Sequence, residues 1–173
     1  MRLLPRHGQA LDIACGTGQN AFRLATAGLD VLGFDLSSVA IDLARAAASR
    51  NGNRARISFE VADAIEFLPT LPAATYAVVL SINYFEPSIL ADIKRVLVPG
   101  GVVVVQAFTE NDGKMKESHI QDKLISETSL FEPAAFGGYW ILIHEVDRFI
   151  DGKGLRRERV NMVARKPLAA DDG

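Results

Sequence analysis

Three aspartates and one run of small residues are the groups in this chain whose types and spacing could hold a polar ligand. Asp12-Ile13-Ala14-Cys15-Gly16-Thr17-Gly18-Gln19-Asn20 sets an acid just ahead of a small-residue turn. Glycine has no Cβ to hold a ligand off and takes up positive φ. Ala10 to Ile13 has strand character, and Ala21-Phe22-Arg23-Leu24-Ala25 begins a helical period. A ligand would therefore lie by the first turn of a helix, where free N–H groups favour negative charge. Asp35 follows Gly16 by roughly the 20 residues at which a nucleotide-binding unit places its ribose-binding acid. Alone, such a turn is a weak signal, and a tight turn without a ligand accounts for it too.

Other groups with chemistry follow strand-like runs. Asp63 sits in Ala62-Asp63-Ala64, and Ser81-Ile82-Asn83-Tyr84-Phe85 follows a long apolar stretch. An ionised carboxylate offers two acceptor oxygens to hydroxyl or amino donors. Each aspartate equally suits a cap or a turn. Tyr84 fits a pocket wall or the core. His119, in the polar stretch from Thr109, is either a base or a solvated loop histidine, and His144, in a strand-like run, reads as structural. Cys15, the single cysteine, excludes an internal disulfide and a cysteine-rich zinc site and suits apolar packing; no metal is expected.

Hydrophobic periodicity supplies the elements that position these groups. Gly28 suits the residue after a helix, and Val31 to Phe34 is a strand ending on Asp35. Ser37 or Ser38 caps a helix with apolar positions Val39, Ala40, Leu43, Ala44 and Ala47, stopped by Asn51-Gly52-Asn53. Ile57 to Val61 alternates as a third strand. Tyr76 to Leu80 has the continuous apolar character of a buried central strand. Pro87 opens a helix through Ile89, Leu90, Ile93, Val96 and Leu97, ended by Pro99-Gly100-Gly101, and Val102 to Val105 is a fifth strand. Residues 109–119 read as a mobile loop, and 126–136 as a helix containing Pro133. Tyr139 to Ile150 and Leu155 to Arg165 form a hairpin around Asp151-Gly152-Lys153-Gly154. The pattern is α/β, a doubly wound sheet of seven strands, mostly parallel with an antiparallel C-terminal hairpin strand.

At 173 residues and 49% hydrophobic, the chain suits one domain over 1–173, with 1–8 as lead-in and 166–173 as a frayed tail. A net charge of −2 gives no source for nonspecific nucleic-acid binding. Arg156-Arg157-Glu158-Arg159 is expected to be a solvated strand face, with an anion or nucleic-acid contact as the alternative. No apolar run approaches the roughly 18 residues that span a bilayer, and Met1 to Gly8 has no signal-peptide core. The expectation is a cytoplasmic protein with no membrane or nucleic-acid partner.

Taken together, these residues resemble the class I S-adenosylmethionine-dependent methyltransferases. Asp12 to Gly18 matches the family's motif acid-x-Gly-x-Gly-x-Gly with Ala14 in place of the first glycine. Asp35 and Asp63-Ala64 match its strand-end acids, and Leu97-Val98-Pro99-Gly100-Gly101 resembles the turn before its fifth strand. The similarity covers most of residues 9–165. Within the family, the turn through Asn20 and the ending Met162-Val163-Ala164-Arg165-Lys166-Pro167 look most like tellurite-resistance-type small-molecule methyltransferases.

The resemblance implies a Rossmann-like fold and S-adenosyl-L-methionine as cofactor. It places the ribose hydroxyls on Asp35 beside Leu36, and the adenine amine on Asp63 with the Ala64 N–H on a ring nitrogen. Main chain at Ala14, Gly16 and Ser81 would hold the methionine portion, with Thr17 and Gly18 completing the turn and Asn20 nearby. Asp12 would orient the turn or reach the ammonium group. Asn83, Tyr84 and His119 are the candidates near the reacting methyl. The family's Asn/Asp-Pro-Pro-aromatic signature is absent at Ser81 to Tyr84, which argues against nucleobase and glutamine amide acceptors and leaves a small-molecule acceptor.

Two alternatives share parts of this pattern. An NAD(P)-dependent oxidoreductase has the glycine turn and the acid after the second strand. A non-catalytic S-adenosylmethionine-binding subunit would keep the pocket alone. Little sequence precedes the first strand, so the 109–119 loop or a second subunit, as in a homodimer, would cover the site, or the chain is truncated.

Overall fold

The computed structural model describes residues 3–50, 56–113, 124–126, 128–132 and 135–169. The apolar run Tyr76–Ile82 becomes β4, the middle strand of a seven-stranded sheet. Around it lie β1 (Gln9–Ile13), β2 (Asp30–Asp35), β3 (Ile57–Val61), β5 (Leu97–Phe108), β6 (Trp140–Ile150) and β7 (Arg156–Arg165), in the order β3-β2-β1-β4-β5-β7-β6. The first five strands pair in parallel, while β7 runs antiparallel to both β5 and β6. Strand order reverses between β1 and β4, so the carboxyl ends of β1, β2 and β4 face one crevice.

Both faces of β1 and β4 are buried, which is why β4 reads as an almost unbroken apolar run. Leu11, Ile13, Val79, Val103 and Val105 pack on one side with Ile93 and Val96 of α4 (Leu90–Val96). Ala10, Val78 and Leu80 pack on the other with Ala21 and Leu24 of α1 (Gln19–Thr26) and Ile41 and Ala44 of α2 (Ser38–Arg50). A one-turn helix, α3 (Ala64–Phe67), follows β3. Gly28 ends α1 at φ +104°: its N–H donates to the Ala25 carbonyl at 3.0 Å and the Leu29 N–H to the Leu24 carbonyl at 3.2 Å, which satisfies two orphan carbonyls. Among the described residues no helix is long and apolar enough to cross a membrane.

Several local expectations change. The buried face of α2 is Ile41, Ala44 and Ala48, whereas Val39 and Leu43 are 69% and 56% exposed. An alanine-rich helix is apolar almost all round, so its period does not fix its phase. The Ser37 hydroxyl does, accepting from the Ala40 N–H at 3.2 Å. The helix before β5 ends at Val96, because Leu97 already pairs with Tyr76; the ladder shifts register before Val102 meets Val78, with Gly100 at φ +75°. Within 126–136 the described residues form only a 3-10 turn at Ser129–Phe131. Ser126 and Ser129 bond to each other at 2.8 Å, and Glu132, the residue before Pro133, is extended at ψ 146°, as proline requires of its predecessor. The helix stop expected at Asn51-Gly52-Asn53 lies outside the described residues.

The basic cluster is not a solvated face. Glu158 is fully buried and accepts from the Thr109 hydroxyl at 2.7 Å, the Asn111 amide at 3.0 Å, Arg148 at 2.9 Å and Arg156 at 3.1 Å. Arg157 meets the buried Asp112 at 2.9 Å. The start of the expected mobile loop, Thr109 to Gly113, is thereby fastened to β7, and Thr109 also bridges Ile125. Burial alone would raise the Glu158 carboxyl, but its four donors outweigh that and hold it at about 2. Its contribution is complete above its ordinary value of 4.5 and is lost as pH falls toward 2. Glu158→Gln is expected to cost about 2–3 kcal/mol, since two cations lose their buried counter-charge, read as a lower urea midpoint at unchanged slope.

Candidate active site

Every small position of the motif turn has a backbone reason to be small. Ala14, Gly16 and Gly18 have φ of +51°, +54° and +81°, a region that costs an L-residue about 1–2 kcal/mol. Ala14 carries that cost where the family has glycine. Gly18 has a second constraint: a Cβ there would sit 2.6 Å from the Phe59 ring, so only glycine lets α1 close onto β3. At Gly16 a Cβ would meet nothing within 4 Å, so main chain faces open space.

Hydrogen bonds lock the turn. The Asp35 carboxylate accepts from the Gly16 N–H at 2.8 Å and from the Ser37 N–H at 2.9 Å. The Cys15 N–H donates to the Phe34 carbonyl at 2.9 Å and the Gly18 N–H to the Cys15 carbonyl at 3.0 Å. On β4, the buried Ser81 hydroxyl donates to the Tyr84 carbonyl at 2.7 Å, and Asn83 turns the chain at φ +59°. Asp63 caps α3, its Oδ1 accepting from the Ile65 N–H at 2.8 Å.

Two adjoining hollows open at these strand ends. One, of about 290 Å³, is walled by Phe34, Leu36, Ala62, Ala64 and Ile65, with Asp63 on its border. The other, of about 440 Å³, is lined by Cys15, Gly16, Thr17, Gln19, Asn20, Ile82 and Asn83. Ala14, Asp35 and Tyr84 belong to both. A third hollow, of about 310 Å³, lies at the opposite sheet edge with a half-exposed Arg56–Asp30 pair, a surface arrangement without reactive groups. Among the described residues no three His, Cys, Asp or Glu are grouped to hold a metal ion.

Most of the residues singled out in sequence thus meet around one crevice. Asp12, Gly18 and Ser81 line neither hollow: Asp12 is buried beneath the turn, Gly18 packs on Phe59, and Ser81 lies under the Asn83–Tyr84 bend. His119 falls outside the described residues, and His144 is exposed on β6. Sequence reasoning passed over the walls Phe34, Ala62, Ile65, Gln19 and Ile82. Their signal was adjacency, since each neighbours a residue already singled out.

Comparison with known proteins follows the geometry. Residues 10–101, β1 through the turn into β5, match the family described as Methyltransferase domain. The chain belongs to that methyltransferase family. An O-methyltransferase of Pyrenophora dematioidea is 31% identical over 118 residues, 65% of this chain and 44% of that protein; the chain spans less than half the length of the curated relatives it matches. A S-adenosylmethionine-dependent methyltransferase of Methanosarcina mazei superposes with a TM-score of 0.75 at 20% identity, covering 96% of this chain and 95% of that one. TehB from Haemophilus influenzae superposes with a TM-score of 0.75 at 19% identity, covering 92% and 57%. The fold is that of the S-adenosylmethionine-dependent methyltransferases.

Two groups of the turn are held away from their ordinary protonation range. Burial pushes the Asp12 carboxyl up to about 7; a bond from the Ala21 N–H opposes this and nearby Asp35 adds to it. Its Oδ2 is buried with no hydrogen-bond partner. Burial, with Asp12 and Asp35, raises the Cys15 thiol to about 12, so it is not a nucleophile at neutral pH. Because the folded state holds the Asp12 proton more tightly than the unfolded chain, stability falls as pH rises from about 4 to 7, by on the order of 3–4 kcal/mol. Asp12→Asn is expected to flatten this slope, measured as urea midpoints at pH 5 and pH 8.

Proposed function

We propose that this chain transfers the methyl group of S-adenosylmethionine to a small-molecule acceptor. The observation that carries the choice of cofactor is the use of the turn's N–H groups. Those of Cys15, Gly16 and Gly18 are taken by Phe34, Asp35 and Cys15, so neither motif glycine offers its N–H to a pyrophosphate, and Asp35 and Asp63 would repel one. A dinucleotide oxidoreductase is disfavoured on both counts. A cationic cofactor with hydroxyl and amino donors suits the same acids.

In this reading the apolar slot at Phe34, Leu36 and Ile65 holds the adenine, with Asp63 and the Ala64 N–H on its polar edge. Asp35, between the two hollows, accepts the ribose hydroxyls on lone pairs its backbone donors leave unused. Ala14, Gly16, Thr17, Asn20 and the Ser81 main chain surround the methionine portion; Asp12 and Gly18 shape the turn from beneath. The cofactor supplies a methyl carbon activated by a positive sulfur: the acceptor's lone pair bonds that carbon as the carbon–sulfur bond breaks, leaving neutral S-adenosylhomocysteine.

The protein's part is orientation and exclusion of water. Burial, with Glu86 and Asp63 nearby, raises the Tyr84 hydroxyl above its ordinary range, so Tyr84 is a wall and a donor rather than a base. Asn83 cannot take a proton. The described crevice therefore suits an acceptor that arrives with an exposed lone pair. A cytoplasmic protein without a nucleic-acid partner completes the proposal, supported by the single cysteine, the net charge of −2 and the pairing of Arg148, Arg156 and Arg157 with carboxylates. Asp35→Ala is expected to weaken S-adenosylmethionine binding at least tenfold, about 1.4 kcal/mol, by calorimetry on folded protein; unchanged affinity removes Asp35 from the site.

A further inference from the structure

The β6–β7 hairpin neutralises its arginines near the crevice with one exception. Arg148 and Arg156 meet Glu158, and Arg157 meets Asp112 and Asp151. Among the described residues Arg159 meets no carboxylate. Its guanidinium lies 5.2 Å from the Phe149 ring centroid, its Nη1 donates to the Gln106 Oε1 at 3.3 Å, and its Nε is buried without a partner. Asp147, directly opposite on β6, accepts on Oδ2 from the Asn161 amide at 2.7 Å instead. The Asn161 oxygen in turn accepts from the Gln106 amide at 2.6 Å. Arginine only donates and an ionised aspartate only accepts, so the chain from Arg159 through Gln106 and Asn161 to Asp147 fixes the orientation of both amides. Such a network holds its arginine in place without neutralising it.

This strip lies beside the larger hollow. Ile82, in the wall of the larger hollow, is in register with Gln106, and Gln106 with Asn161, so their side chains share one face of the sheet. The Asn83 N–H donates to the Gln106 carbonyl at 2.9 Å, tying the bend beside the hollow to β5. Arg159 pairs with Phe108, the last residue of β5, at the edge where ligands of such sheets bind. On this face α1 and α2 pack over β1 to β3, and Gln106, Phe108, Arg159 and Asn161 are only half-buried.

We infer that Arg159, held by Gln106 beside Phe149, is the specificity-determining contact for the methyl acceptor and binds its carboxylate group. A guanidinium fork matches a planar carboxylate. The exposed Asp147 carboxylate across the strand pair disfavours a dianionic phosphate more strongly than a monoanion. Phe149 and Phe108 offer apolar surface to the rest of the molecule. The inference rests on the methyltransferase reading and adds the acceptor's chemical class to it.

The test is calorimetric titration of benzoate, phenylacetate and 3-hydroxybutyrate, each beside its neutral amide, into protein saturated with S-adenosylhomocysteine. At least one carboxylate is expected to bind tenfold or more tightly than its amide. Arg159→Gln should abolish that preference and Arg159→Lys restore part of it, with S-adenosylhomocysteine affinity unchanged in both. Absence of any carboxylate preference, or one that survives in Arg159→Gln, overturns the inference while leaving the cofactor reading intact. Failure of S-adenosylhomocysteine to bind contradicts the cofactor reading instead, and the titrations repeated without it still report whether Arg159 selects carboxylates.

Discussion

Asp35 accepts from the Gly16 N–H at 2.8 Å and from the Ser37 N–H at 2.9 Å, so one carboxylate at the end of β2 fastens both the turn after β1 and the start of α2. For the Gly16 N–H to reach across to β2, the chain must leave β1 through alternating positive φ at Ala14, Gly16 and Gly18. The small residues of the motif follow from that path. So does the character of the crevice: a turn whose glycine N–H groups point at its own protein is a poor phosphate cradle, and it sets the Asp35 carboxylate beside the hollow in their place.

The same device recurs at the other side of the sheet. Glu158 gathers Thr109, Asn111, Arg148 and Arg156, and Asp112 gathers Arg157, so the end of β5 and the start of β7 hold together. In both places a buried or half-buried carboxylate with several donors joins segments distant in sequence. The Asp35 link sets a wall of the crevice, and the apolar packing on both sheet faces supplies the rigid support behind it.

The order of the elements and the convergence of Asp35, Asp63, Ala14 and Tyr84 were legible because strand ends, turns and acids are local signals. A parallel sheet then dictates that strand ends share an edge. What stayed hidden depends on partners far away in the chain. Glu158 reads as one charge in a basic run, and only its neighbours at 109–111 make it a buried hub. The phase of α2 was obscured by its alanines and settled by the Ser37 cap. The turn at Ser129–Phe131 shows serine side chains and a following proline overriding an apolar period. Asp12 was legible as a motif acid, but its place beneath the turn, outside both hollows, was not.

The central claim, that this crevice holds a sulfonium cofactor rather than a dinucleotide, is tested most directly by calorimetric titration of the unmodified protein with S-adenosylmethionine, S-adenosylhomocysteine and NAD. The account predicts one-to-one binding of both sulfur compounds and no binding of NAD. Binding of NAD with neither sulfur compound would contradict it.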